Sequence, residues 1–110
     1  MDKNFNLLTT INGIYNLNEE AAELNYFDTL LIYFNDNDCI FKINYTRLIH
    51  DNYDKNNKIN INKGEIILND IGEMEYELIY NNFYNNLIKE LIFNKYLDYM
   101  GDHLNYDKIY

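Results

Sequence analysis

The sequence predicts an α+β domain: an antiparallel sheet of about four strands, a short N-terminal helix and one long C-terminal amphipathic helix. Three observations carry this. "CIFKINY" (39–45) alternates, with Phe41, Ile43 and Tyr45 on one side and Lys42 and Asn44 on the other, the period of a half-buried strand. "EMEYELIY" (73–80) alternates as well, with Glu73, Glu75 and Glu77 opposite Met74, Tyr76, Leu78 and Tyr80. "NNFYNNLIKELIFNKYLDYMG" (81–101) instead repeats its apolar residues at three- and four-residue steps. At 110 residues the chain suits a single domain over 1–110.

In chain order, "NFNLLTTINGIYNL" (4–17) holds Asn12-Gly13 between apolar residues, a hairpin-turn signal, so a small hairpin or bent strand is expected there. "NEEAAEL" (18–24) has Asn18 as a cap and Glu19 and Glu20 at the positive end of a helix, which predicts the short N-terminal helix. "TLLIYF" (29–34) reads as a buried strand. The turn "NDND" (35–38) makes 28–34 and 39–46 a hairpin. "INI" (59–61) and "EIIL" (65–68) read as short strand pieces interrupted near Gly64, and "NDIG" (69–72) as a turn. In the long helix the inward positions are Phe83, Tyr84, Leu87, Ile88, Leu91, Ile92, Tyr96 and Tyr99, and Gly101 stands where a C-cap belongs. The half-apolar tail 102–110 is expected to dock.

Composition bounds function. Val, Pro, Ser, Gln and Trp are absent, while Asn, Ile and Tyr dominate, as expected of a very AT-rich genome. The same bias favours Lys, yet eight lysines and Arg47 face 18 acids, for a net charge of −9. The acidity therefore runs against the bias and points to selection for a negative surface. Such a field repels phosphate backbones and attracts basic proteins, so no direct nucleic-acid binding is expected. With one cysteine, no apolar leader and no apolar run near the ~20 residues that span a bilayer, the expectation is a soluble cytoplasmic protein, in a bacterial or infected host cell, without membrane contact.

Catalytic and metal motifs fail on inspection. "DKNNKININKGE" (54–65) matches a calcium loop at Asp54, Asn56, Ile61 and Glu65. It places Lys58 at a ligand position and Ile59 where the sharp turn needs glycine, so it reads as a connector running into a strand. His50 and His103 have no spacing that suits a shared metal. Cys39 lies near Asp36 and Asp38, the wrong electrostatics for a nucleophile. There is no serine, no GxGxxG and no Walker loop. No cofactor, metal or catalytic residue is assigned.

Acids interleaved with tyrosines mark the expected partner surface: Glu73, Glu75 and Glu77, then Asp98, Tyr99, Asp102, Tyr106 and Asp107. The expectation is a non-enzymatic inhibitor of a basic, nucleic-acid-binding protein. In gross composition it resembles phage counter-defence proteins such as anti-CRISPR and anti-restriction inhibitors, an analogy of type and not of motif. An immunity or antitoxin-type protein, and a small metal- or ligand-binding enzyme, are the alternatives. A homodimer is open through a strand edge or the tyrosine-rich helix.

Overall fold

The computed structural model describes residues 4–19, 22–52, 56, 58–101 and 107–109. Four strands run up and down in chain order: β1 (Asn6–Glu19), β2 (Ala22–Asn35), β3 (Ile40–Asp51) and β4 (Ile59–Leu68). Two helices follow, α1 (Glu73–Asn82) and α2 (Asn86–Met100), then a three-residue strand β5 (Asp107–Ile109). Sheet order is β4-β3-β2-β1-β5, and every pairing is antiparallel.

The expected N-terminal helix is not formed: its described residues, 18–19 and 22–24, are strand. Glu19 pairs with Ala22 and Leu17 with Leu24, as the continuation of a ladder from Asn6 to Glu19. A seven-residue helix is marginal by itself, whereas the strand adds to an existing register. Of the two forms expected over 4–17, a hairpin or one bent strand, the structure has the strand, with a bulge between Leu7 and Thr9 and no turn at Asn12-Gly13. Both residues lie in mid-strand, opposite Thr29 and Asp28. Gly13 is there for space: a Cβ on it would lie inside contact distance of the Phe93 ring. Without one, α2 comes down close on the sheet.

"EMEYELIY" is α1, not a strand. Its period of two is real, but Gly72 precedes it in an extended conformation, and Glu73 and Glu75 occupy the first turn, where the helix dipole favours acids. Tyr76 and Ile79 are the buried pair, three apart. The single long helix is correspondingly two. Asn85 begins α2 by accepting a hydrogen bond from the Leu87 N–H at 2.8 Å, and Gly101 ends it in the left-handed region at φ 71°. The buried stripe of α2 is Ile92, Phe93, Tyr96 and Leu97, with Ile88 and Leu91 packed beside it; of the expected inward positions Leu87 and Tyr99 are exposed, as is Tyr84 in the turn before the helix, so the inward face is turned partly toward Phe93 and Leu97. β4 runs unbroken through Gly64, where a Cβ would collide with Tyr45. Of the tail expected to dock, residues 107–109 are described and pair with β1, Ile109 opposite Asn12 and Asp107 opposite Ile14; 102–106 and 110 lie outside the described residues.

The core lies between one sheet face and the helices. Ile11, Leu30, Ile32, Phe41, Ile43, Ile66 and Leu68 meet Tyr76, Ile79, Ile92, Phe93, Tyr96 and Leu97. The buried part of that face runs from Phe41 and Leu68 to Asp28 and Arg47, and beyond it Tyr15, Tyr26 and Ile49 are half-buried. No helix among the described residues is long and apolar enough to cross a membrane.

Gly13→Ala forces a methyl into the Phe93 ring and is expected to cost about 1–3 kcal/mol in denaturant unfolding. The cost should shrink in a Phe93→Leu background; an equal cost in both would show that Phe93 is not the obstacle.

Candidate interaction surface

Two groups of polar residues stand out, one sealed in the core and one on the surface. In the sealed group, Arg47 donates Nε to Asp28 Oδ1 at 2.9 Å and Nη2 to Asp28 Oδ2 at 3.0 Å. The residues are opposite each other in the β2–β3 register. Asp28 is 1% exposed and Arg47 6%. The guanidinium also lies 5.3 Å from the Tyr26 ring centre and 5.8 Å from that of Tyr96. The Tyr96 hydroxyl is beside the pair but makes no hydrogen bond of good geometry. Burial, and then the charge of Asp28, push this phenol well above its ordinary range, with Arg47 opposing. A carboxylate, a guanidinium and a phenol could serve acid–base chemistry, but these are closed to solvent and therefore to substrate. They form a structural pair.

The surface group sits at the end of the sheet where β2 turns into β3. Asn35 organises that turn by accepting from the Asn37 N–H at 2.9 Å and the Asp38 N–H at 3.3 Å. Cys39 closes it in the left-handed region at φ 53°, a position that begins β3 only after a strained step. The turn holds Asp36 against α1, where its carboxylate accepts the Tyr76 hydroxyl at 2.6 Å. Burial first, then this hydrogen bond and the Asp36 charge, hold the Tyr76 phenol protonated far above its usual range. The Tyr76 ring stacks on Phe41 at 4.7 Å and on Tyr80 at 6.0 Å. Asp36, Cys39, Glu73, Tyr76, Glu77, Tyr80 and Asn81 line an open groove of about 440 Å³.

The sequence-assigned partner residues divide between this groove and others. Glu73 and Glu77 are one helical turn apart and both exposed, on α1 and not on a strand. Glu75 points elsewhere and pairs with Lys95 of α2 at 2.8 Å. Asp98 and Tyr99 are exposed in the last turn of α2, on a separate groove with Asn69, Asp70 and Lys95. Asp102 and Tyr106 lie outside the described residues. Asp107 opens β5, opposite Ile14. Asp54 of the calcium-like stretch also lies outside them, while Ile59 to Glu65 is extended strand. Among the described residues no group of three or more His, Cys, Asp or Glu could hold a metal ion.

Asp36 is the acid that joins the surface set through space and not through sequence, 40 residues from its Tyr76 partner. Nothing local announces it. No family model matches this chain, and neither a curated protein nor a solved structure does.

Arg47→Met should cost about 3–5 kcal/mol in denaturant unfolding, because it strands the Asp28 charge in the core. Adding Asp28→Leu should recover most of that; no recovery would mean the pair is not the source of the loss. Tyr96→Phe should match or exceed the parent at neutral pH, by up to about 1 kcal/mol, since the hydroxyl is buried without a partner. The fold holds the Tyr96 proton more tightly than the unfolded chain does. The group therefore adds no pH dependence below the ordinary phenol pKa of about 10, and stability falls as pH rises above it. Thermal unfolding of the parent should weaken above that pH more steeply than that of Tyr96→Phe, and parallel curves would contradict the assignment.

Proposed function

We propose that this chain is a non-enzymatic acidic binding protein that docks its helical layer on the basic surface of a protein partner. The observation that carries the reading is the state of four carboxylates. Asp36, Asp38, Glu73 and Glu77 are all exposed, and no described lysine or arginine forms an ion pair with any of them. Three of them gather around Tyr76 and Tyr80, which supply rigid contact area. A solubility charge would be served as well by acids scattered among bases. A concentrated, unneutralised set supplies a directed field.

The partner class follows from the charge. A basic protein surface that normally receives phosphates would receive these carboxylates, so the chain would compete with nucleic acid for that surface and inhibit the partner.

Partners captured from host lysate on immobilised protein should elute at moderate salt, since interactions of exposed charges are screened beyond ~8 Å at physiological ionic strength. Added nucleic acid should displace them. Glu73→Lys with Glu77→Lys should weaken the captured complex by roughly tenfold or more, mainly through a slower association rate. A complex indifferent to salt, nucleic acid and both reversals would remove the reading.

A further inference from the structure

The second face of the sheet bears on a different partner. Neither helix packs on it, since both bury their apolar stripes against the opposite face. The printed registers place its residues in five rows across the four main strands. They are Leu7–Tyr33–Lys42–Ile67, Thr10–Leu31–Asn44–Glu65, Asn12–Thr29–Thr46–Lys63, Ile14–Phe27–Leu48–Ile61 and Asn16–Asn25–His50–Ile59. Contacts confirm that these side chains share a face. Thr29 donates to Asn12 at 3.1 Å, and Lys42 lies 4.0 Å from Glu65 and 5.1 Å from the Tyr33 ring centre.

Two of the rows are largely apolar and open to solvent. Leu7, Ile67, Phe27 and Ile61 are 55%, 42%, 41% and 56% exposed. Between them lie two polar rows. Large contiguous apolar patches left open on a folded chain mark interaction sites.

We propose that this face is the interface of a homodimer, in which two copies pack sheet to sheet about a two-fold axis that crosses the strands between the Thr10 row and the Asn12 row. Three features of the face favour a second copy as its occupant. The first is charge. The chain carries −9, yet the charged residues that the registers place on this face are Lys42 and Lys63 against Glu65, Glu23 in the row beyond Asn25 and Asp107 of β5 beside Ile14, a balance of 2 − 3 = −1. This is a surface on which two strongly acidic chains can meet with little like-charge repulsion.

The second is self-complementarity, which an isologous interface requires. The axis sets Lys63 against Glu65 of the partner subunit, and the reverse, giving two symmetric ion pairs. It also lays the Leu7 row on the partner's Ile14 row, so apolar meets apolar on both sides of the axis. The third is size. Ten residues of strand at ~3.3 Å and four strands at ~4.8 Å give a footprint of roughly 600 Å² per copy, within reach of the ~800 Å² typical of stable interfaces. Sheets packed this way leave both helical layers, with Asp36, Glu73 and Glu77, on the outside of the dimer.

Sedimentation equilibrium of the full chain tests this. The parent should be dimeric at about 100 μM, and Ile61→Asp and Phe27→Asp should be monomeric at that concentration. Both positions are exposed in the single chain, and circular dichroism checks that each variant folds. Lys63→Glu should weaken the dimer by about tenfold or more, by placing glutamate against glutamate. Adding Glu65→Lys to it should restore the affinity, because the two-fold then pairs the swapped charges. A parent monomeric up to about 1 mM, a dimer indifferent to Ile61→Asp and Lys63→Glu, or a charge swap that fails to restore association would each overturn the proposal.

Discussion

The buried Asp28–Arg47 pair sets the register on which the remaining geometry depends. Two charges enclosed in a core are tolerable only when each meets the other, and here both ends of the carboxylate are engaged by the guanidinium. A slip of one residue between β2 and β3 would leave Asp28 facing Leu48 or Thr46 and turn a whole strand inside out. Such a slip would strand a charge, so the pair contributes specificity even where its net stability is small. From that register follow the core rows Ile11–Leu30 and Ile32–Ile43–Ile66, and with equal necessity the rows on the other face.

The same alternation that builds the core separates the charges. Strand positions facing the helices are mostly apolar apart from the sealed pair, while those facing away mix apolar residues with Lys42, Lys63, Glu23 and Glu65. Acids gather in the turn at 36–38 and at the exposed positions of α1, away from its buried Tyr76 and Ile79. An acidic helical end and a near-neutral sheet face are therefore two consequences of one topology. They could serve two partners without interfering, because the helices and the open face lie on opposite sides of the sheet.

Much of the sheet was legible, and the misreadings have physical causes. Alternation in "CIFKINY" located β3, and its continuation could have revealed more: Phe41, Ile43, Tyr45 and Arg47 share one parity, which places the only arginine of the chain on the buried face. A lone arginine there demands an acid opposite, and Asp28 has the parity of Leu30 and Ile32. "EMEYELIY" misled because its alternation is a pattern of sequence only: in the helix Glu73 and Glu77 share a side and Glu75 turns away to Lys95. What decides is Tyr76 with Ile79, a spacing that only a helix brings to one side. Leu17 to Leu24 has helical propensity throughout, but the ladder already running from Asn6 extends through it at little cost, and propensity is the weaker term. The surface site was only partly legible, since Asp36 reaches Tyr76 by folding and not by spacing.

Asparagine does in this chain the work that glycine and proline do elsewhere. There is no proline, and two of the four glycines lie in mid-strand, where they make room for Phe93 and Tyr45. Gly101 is the one that ends a helix with a positive φ. Turns and starts are left to side chains that imitate the backbone: Asn35 closes the β2–β3 turn and Asn85 opens α2. A residue type this abundant has thus taken on local structural roles. Its abundance also explains the false hairpin at Asn12-Gly13. Where asparagine is this common, its occurrence beside glycine carries little information about turns, and the packing demand of Phe93 accounts for the glycine by itself.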